Sequence, residues 1–171
     1  MIVHVLTIGA GVLLIFAISV LGPVFNVDRL LPAAAVIATV YAGAHRDGFG
    51  AVGAALVFAL LTGLLNSGGR GLMMLSLLPV VGATLFLRTR TPLTQSVLFG
   101  AWTAAASLLA DLTFVLLGFV FSPNTVFWPS LVFLSPGTAL ISGAVGMMYG
   151  AIVGRIEPLL EQRQQRSALY F

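Results

Sequence analysis

Apolar runs follow one another from Met1 to Gly154 with no long polar interval, and that succession limits the fold more than any single motif does. A helix needs about 20 apolar residues to cross a hydrocarbon core of roughly 30 Å. By that measure membrane spans are expected at about 3–21, 30–44, 50–65, 72–87, 97–121 and 137–154. The predicted fold class is an all-α, polytopic transmembrane bundle of six helices in a single domain, 1–171, with 155–171 as a cytoplasmic tail. Composition agrees: 59% of residues are hydrophobic and 8% charged, with a mean hydropathy of +1.09, far from the values of soluble domains. The second to fourth runs are short. A helix of 16 residues rises about 24 Å, so these spans are expected to extend into their flanks or to stand nearly upright.

The breaks carry loop chemistry: Gly22-Pro23 with Asn26 and Asp28-Arg29, then His45-Arg46-Asp47-Gly48, then Asn66-Ser67-Gly68-Gly69-Arg70-Gly71, then Arg88-Thr89-Arg90-Thr91-Pro92. Each is short, so consecutive helices should be antiparallel neighbours. The fifth connection, 122–136, holds Pro123, Pro129 and Pro136 around Val126-Phe127-Trp128. It reads as a segment at the membrane interface, with Trp128 as an anchor at headgroup level. The first run lacks a preceding Arg or Lys and is longer than the apolar stretch of a cleaved signal, so it is read as a retained helix.

Every basic side chain other than the two histidines is arginine. With six spans, Arg46, Arg88, Arg90, Arg155, Arg163 and Arg166 fall on one side and Arg29 and Arg70 on the other. Cytoplasmic loops retain positive charge, so both termini are expected in the cytoplasm, across the bacterial inner membrane. The arginines sit at helix ends rather than in a patch interleaved with aromatics, which argues against nucleic acid as a partner. The absence of cysteine removes disulfides and thiolate chemistry.

The most regular pattern is a row of small residues at every fourth position of the last span: Thr138, Ser142, Gly146, Gly150 and Gly154. Such a face lets two backbones approach closely, either inside the bundle or against a partner's helix. Asp111 is the one carboxylate inside an apolar span. At a helix centre an acidic residue costs about 2.5 kcal/mol or more, so it should face the bundle interior, pair with a donor or be protonated. Candidate donors are Arg70, Ser107 and Thr113. His4 and His45 have no Cys, Asp or Glu beside them at ligand spacing, so no metal site is expected; no phosphate-binding loop, HExxH or nucleophile elbow is present. The expectation is a protein that is not an enzyme and uses no cofactor. The tail after Pro158 reads either as a short amphipathic helix, with Glu161 and Arg163 on its wet side, or as a frayed end.

The stretch from Leu31 to Arg90 opens an apolar span with Pro32 and places Tyr41 before the His45-Arg46-Asp47-Gly48 turn. Its third helix ends in Leu64-Leu65-Asn66, and Gly68-Gly69 and Gly71 open the fourth. Together with Asp111 and the segment Val126-Phe127-Trp128-Pro129-Ser130, this resembles the MreD family, small multi-span subunits of the bacterial rod-shape machinery, or elongasome. The chain departs from the family at Asn66, where many members carry an acidic residue. The resemblance implies a non-enzymatic scaffold in the lipid bilayer. It would bind the bitopic protein MreC and, directly or through MreC, RodA and its partner transpeptidase, in support of peptidoglycan synthesis and cell shape. Partner-binding or helix-packing surfaces would then involve Ser142, Gly146, Gly150 and Gly154, together with Asn66 and Arg70. MreD is similar in fold to the substrate-binding S components of ECF-type vitamin transporters, which makes such a component the rival expectation.

Overall fold

The computed structural model describes residues 2–25, 33–65, 70–93, 95–121 and 128–168. Among these every regular element is a helix: α1 (Ile2–Phe25), α2 (Ala34–His45), α3 (Gly48–Leu65), α4 (Arg70–Arg88), α5 (Ser96–Phe121) and α6 (Trp128–Ala168). Among the described residues, three helical stretches are long and apolar enough to cross a membrane: Gly48–Leu65, Ser96–Phe121 and Phe133–Ile156.

The helix ends differ from the sequence expectation where proline was read as a stop. Helix α1 continues to Phe25, through Gly22-Pro23, whereas α4 carries Pro79 in its interior as the expected span 72–87 already did. Helix α6 begins at Trp128, inside the connection expected at 122–136, and runs on to Ala168 through Pro129, Pro136 and Pro158. Pro129 stands near the start, where its missing N–H would have had no helical partner. Pro136 lies inside the helix, at a cost that neighbouring helices can absorb by rebonding the freed carbonyl.

Helix α2 is at the centre. It touches each of the other five, which close a ring around it in the order α1, α3, α4, α5, α6 and back to α1. Residues Ala34 to Gly43 of α2 are all buried, whichever way they point. Ile37, Val40 and Ala42 have no exposed surface at all, as expected for a helix that is apolar all round and enclosed by others. The ring turns apolar side chains outward instead, among them Leu13, Phe16, Leu60, Phe86, Leu116 and Met148.

The contacts also give direction. Tyr41 packs edge-on against both Phe99 and Tyr149, while Ala33 meets Ser142, so α2 and α6 run parallel. Thr84 accepts from the Trp102 indole N–H at 2.9 Å, as antiparallel α4 and α5 require.

Candidate functional site

Helix α6 lies along α5 through small residues on both sides. A Cβ added to Gly100 would stand 2.8 Å from the carbonyl oxygen of Gly143, and one added to Gly143 would stand 2.9 Å from Cβ of Ala104. The two backbones are therefore as close as side-chain-free positions permit, which gains dispersion contact that leucine pairs could not supply. The closest approach on this seam pairs Gly100 with Gly143, one position beside the row read from the sequence. Within that row, Gly146 faces Thr103, where a Cβ would come within 2.9 Å, and Gly150 faces Phe99 at 3.0 Å. Gly154 has open space. The signal for Gly100 and Gly143 was present as the small pair Gly100/Ala104 and the stripe Ala139/Gly143, hidden by the abundance of glycine.

Ser142 is fully buried and serves α2. The N-cap position of α2 is Ala33, which has no side-chain oxygen to offer. Its backbone N–H donates to Ser142 Oγ at 2.8 Å, and the Ser142 hydroxyl donates to the carbonyl of Thr138 at 2.6 Å. At the other end of α2, the Arg88 guanidinium donates to the carbonyls of Gly43, at 3.2 Å, and Arg46. A cation at a helix C-terminus also meets the negative end of the dipole. Both ends of α2 are thus closed by side chains from other helices.

Asp111 lies further along the same seam. Its Oδ2 accepts from the Ser135 hydroxyl at 2.8 Å. Of the donors expected from the sequence, neither Ser107 nor Thr113 fills that role. Ser107 Oγ is buried without a partner, and Thr113 donates to the carbonyl of Leu109. Arg70 is described only as the first residue of α4, and Asn66 lies outside the described residues, as do the side chains of His4 and Trp128. Ser135 was missed because 122–136 read as a connection. Two prolines flanking an apolar stretch hid a helical turn that puts residue 135 opposite residue 111.

The remaining interior polar groups are mostly occupied locally. The hydroxyls of Thr62, Thr84 and Thr103 each donate to the carbonyl four residues back, a bond that leaves little to offer a ligand. His45 stacks on Tyr41 with ring centroids 4.2 Å apart, and its Nδ1 lies 3.1 Å from the Tyr41 carbonyl oxygen. At the surface, the Arg90 guanidinium stands 5.2 Å over the ring of Phe86.

The site is therefore a helix seam, closed by glycine in one half and by a carboxylate–hydroxyl pair in the other. Comparison of the chain with protein-family models, with curated proteins and with solved structures gives no match.

Proposed function

We propose that this protein is a non-enzymatic membrane scaffold of the MreD kind, with six spans in the bacterial inner membrane and both termini in the cytoplasm. It binds MreC and, directly or through MreC, RodA and its partner transpeptidase, in support of peptidoglycan synthesis. The observation that carries this reading is the position of α2. A carrier or channel keeps a pathway along its axis, and here the axis is filled by a helix buried on every side. What remains available to other molecules is the outer, apolar surface of the ring, where neighbouring membrane proteins bind.

The orientation rests on charge. Arg88 reaches the carbonyl of Arg46, so these two share one end of the bundle. Arg155 lies six residues, about 9 Å, beyond Tyr149 toward that same end. Positive charge gathered at one end favours that end as cytoplasmic.

An S component of a vitamin transporter, with the similar six-helix fold that the resemblance implies, would need several polar and aromatic side chains converging on a ligand. The back-bonded threonines of α3, α4 and α5 weigh against it. The test is co-expression with an MreC from the same genome. We expect a stable complex in mild detergent; free migration of the two proteins, under conditions that preserve other rod-complex contacts, overturns the reading.

A further inference from the structure

Arg88 and Arg90 stand two positions apart at the end of α4 and do different things. Arg88 donates to the carbonyls of Gly43 and Arg46, so its guanidinium is given to closing α2. Arg90 lies past the last residue of α4, in a turn where its backbone N–H and that of Thr91 both donate to the carbonyl of Leu87 at 2.9 Å. The turn keeps residue 90 on the same face as residue 86, one helical turn back. The Arg90 guanidinium accordingly stands 5.2 Å over the ring of Phe86, and Phe86 is 63% exposed on the outer surface of the bundle.

The depth of that cation follows from its neighbours. Thr84 of α4 bonds Trp102 of α5, so the end of α4 and the start of α5 share one end of the bundle. There the outward side chains are apolar as far as Phe86 on one helix and Val97, 67% exposed, on the other. They turn polar just beyond, at Thr89, Arg90 and Gln95. A change from apolar to polar within about one turn, some 5 Å, marks the edge of the hydrocarbon. Long basic side chains near helix ends usually extend from that edge toward the headgroups. Arg90 instead lies back over a ring on the hydrocarbon side.

A ring attracts a cation through its face but has no lone pairs for the five N–H groups of a guanidinium. Arg90 is exposed, so its N–H groups meet what surrounds the bundle, and at the edge of a bilayer the acceptors are water and lipid phosphate. Phosphate matches the guanidinium in charge and in its paired oxygens. The acyl chains below it begin where Phe86, Val97 and Leu98 are exposed. Arg88, two positions away, is exposed as well. A headgroup that adds an ammonium therefore meets like charge, and one whose phosphate is uncompensated does not. The described carboxylate at this end, Asp47, is turned to Gly50 at the start of α3.

We propose that the outer side of the α4–α5 turn binds an anionic phospholipid, with its phosphate on Arg90 and its chains against Phe86, Val97 and Leu98. The site lies in the leaflet at the Arg88 end, the cytoplasmic one in the orientation given above. It does not depend on which proteins the chain binds, and it stands or falls separately from the scaffold reading.

The full chain in mild-detergent micelles is titrated with pyrene-labelled phosphatidylglycerol or phosphatidylcholine, and binding is read as energy transfer from its two tryptophans. One cation at a membrane surface corresponds to about a fivefold preference for the anionic lipid. We expect that preference for the unaltered chain and a ratio near one for Arg90→Gln. Arg155→Gln removes another exposed arginine from the same end and should leave the preference in place. Phe86→Leu keeps the surface apolar but removes the ring under the cation, and should lower the preference about twofold. Equal losses for Arg90→Gln and Arg155→Gln would mean diffuse charge rather than a site, and overturn the proposal. So does equal binding of the two lipids, or a preference that survives Arg90→Gln. Displacement of the labelled lipid by millimolar inorganic phosphate at constant ionic strength also overturns it, because the site would then take a free anion.

Discussion

Between Phe99 and Ala104, α5 meets α6 through glycine, alanine and hydroxyl groups at backbone distance; about two turns further along, the same two helices meet through a carboxylate and a serine. The first region is held by contact alone. Lipid tails are as apolar as leucine, so no hydrophobic gain separates helix–helix from helix–lipid contact, and closeness is what favours association. The second carries a carboxylate, a group that lipid penalises, against a hydroxyl that donates to it. One region is closed by backbone contact, and the other by a hydrogen bond.

Three substitutions sharpen that contrast. Gly143→Leu should have the largest effect, because the new side chain would have to displace Ala104 and the Gly100 carbonyl. A loss of about 3 kcal/mol or more is expected in reversible unfolding from mixed micelles, and wild-type stability there would show that the seam can open without cost. Ser142→Ala leaves the Ala33 N–H without its acceptor; a loss of about 1–2 kcal/mol is expected in the same measurement. Asp111→Leu should have the smallest effect. It removes a costly carboxylate from the polar half, and stability should stay within about 1 kcal/mol of wild type or rise. A larger fall would mean that the carboxylate holds the bundle together.

Much of the helix order is legible in the sequence, because apolar runs separated by Gly, Asn, Asp and Arg clusters leave few other readings. The central place of α2 is not. Its run from Ala34 to His45 looks like its neighbours, and burial on all sides depends on which helices surround it, which no local pattern records. Within the seam, Asp111 stands out because a carboxylate in an apolar run is conspicuous, whereas its partner Ser135 sits between residues that suggested a turn. Pro136 carries that signal in water, but inside a bundle the freed carbonyl can find another donor. Gly143 is hidden for the opposite reason: with 19 glycines in the chain, spacing alone cannot tell the one that touches another backbone from those that face open space.

The capping of α2 also bears on the order in which the chain can be assembled. Helix α2 has 12 residues, about 18 Å of rise, too little to cross a bilayer alone. Its last carbonyls wait for an arginine more than 40 positions downstream, and its first N–H for a serine more than 100 positions on. As the chain emerges from synthesis, this helix comes early and is completed late. Until α4 and then α6 arrive, its ends depend on water or on the insertion machinery. The innermost element of the finished protein is therefore among the last to become stable, and a chain truncated before Ser142 would lack the acceptor that finishes it.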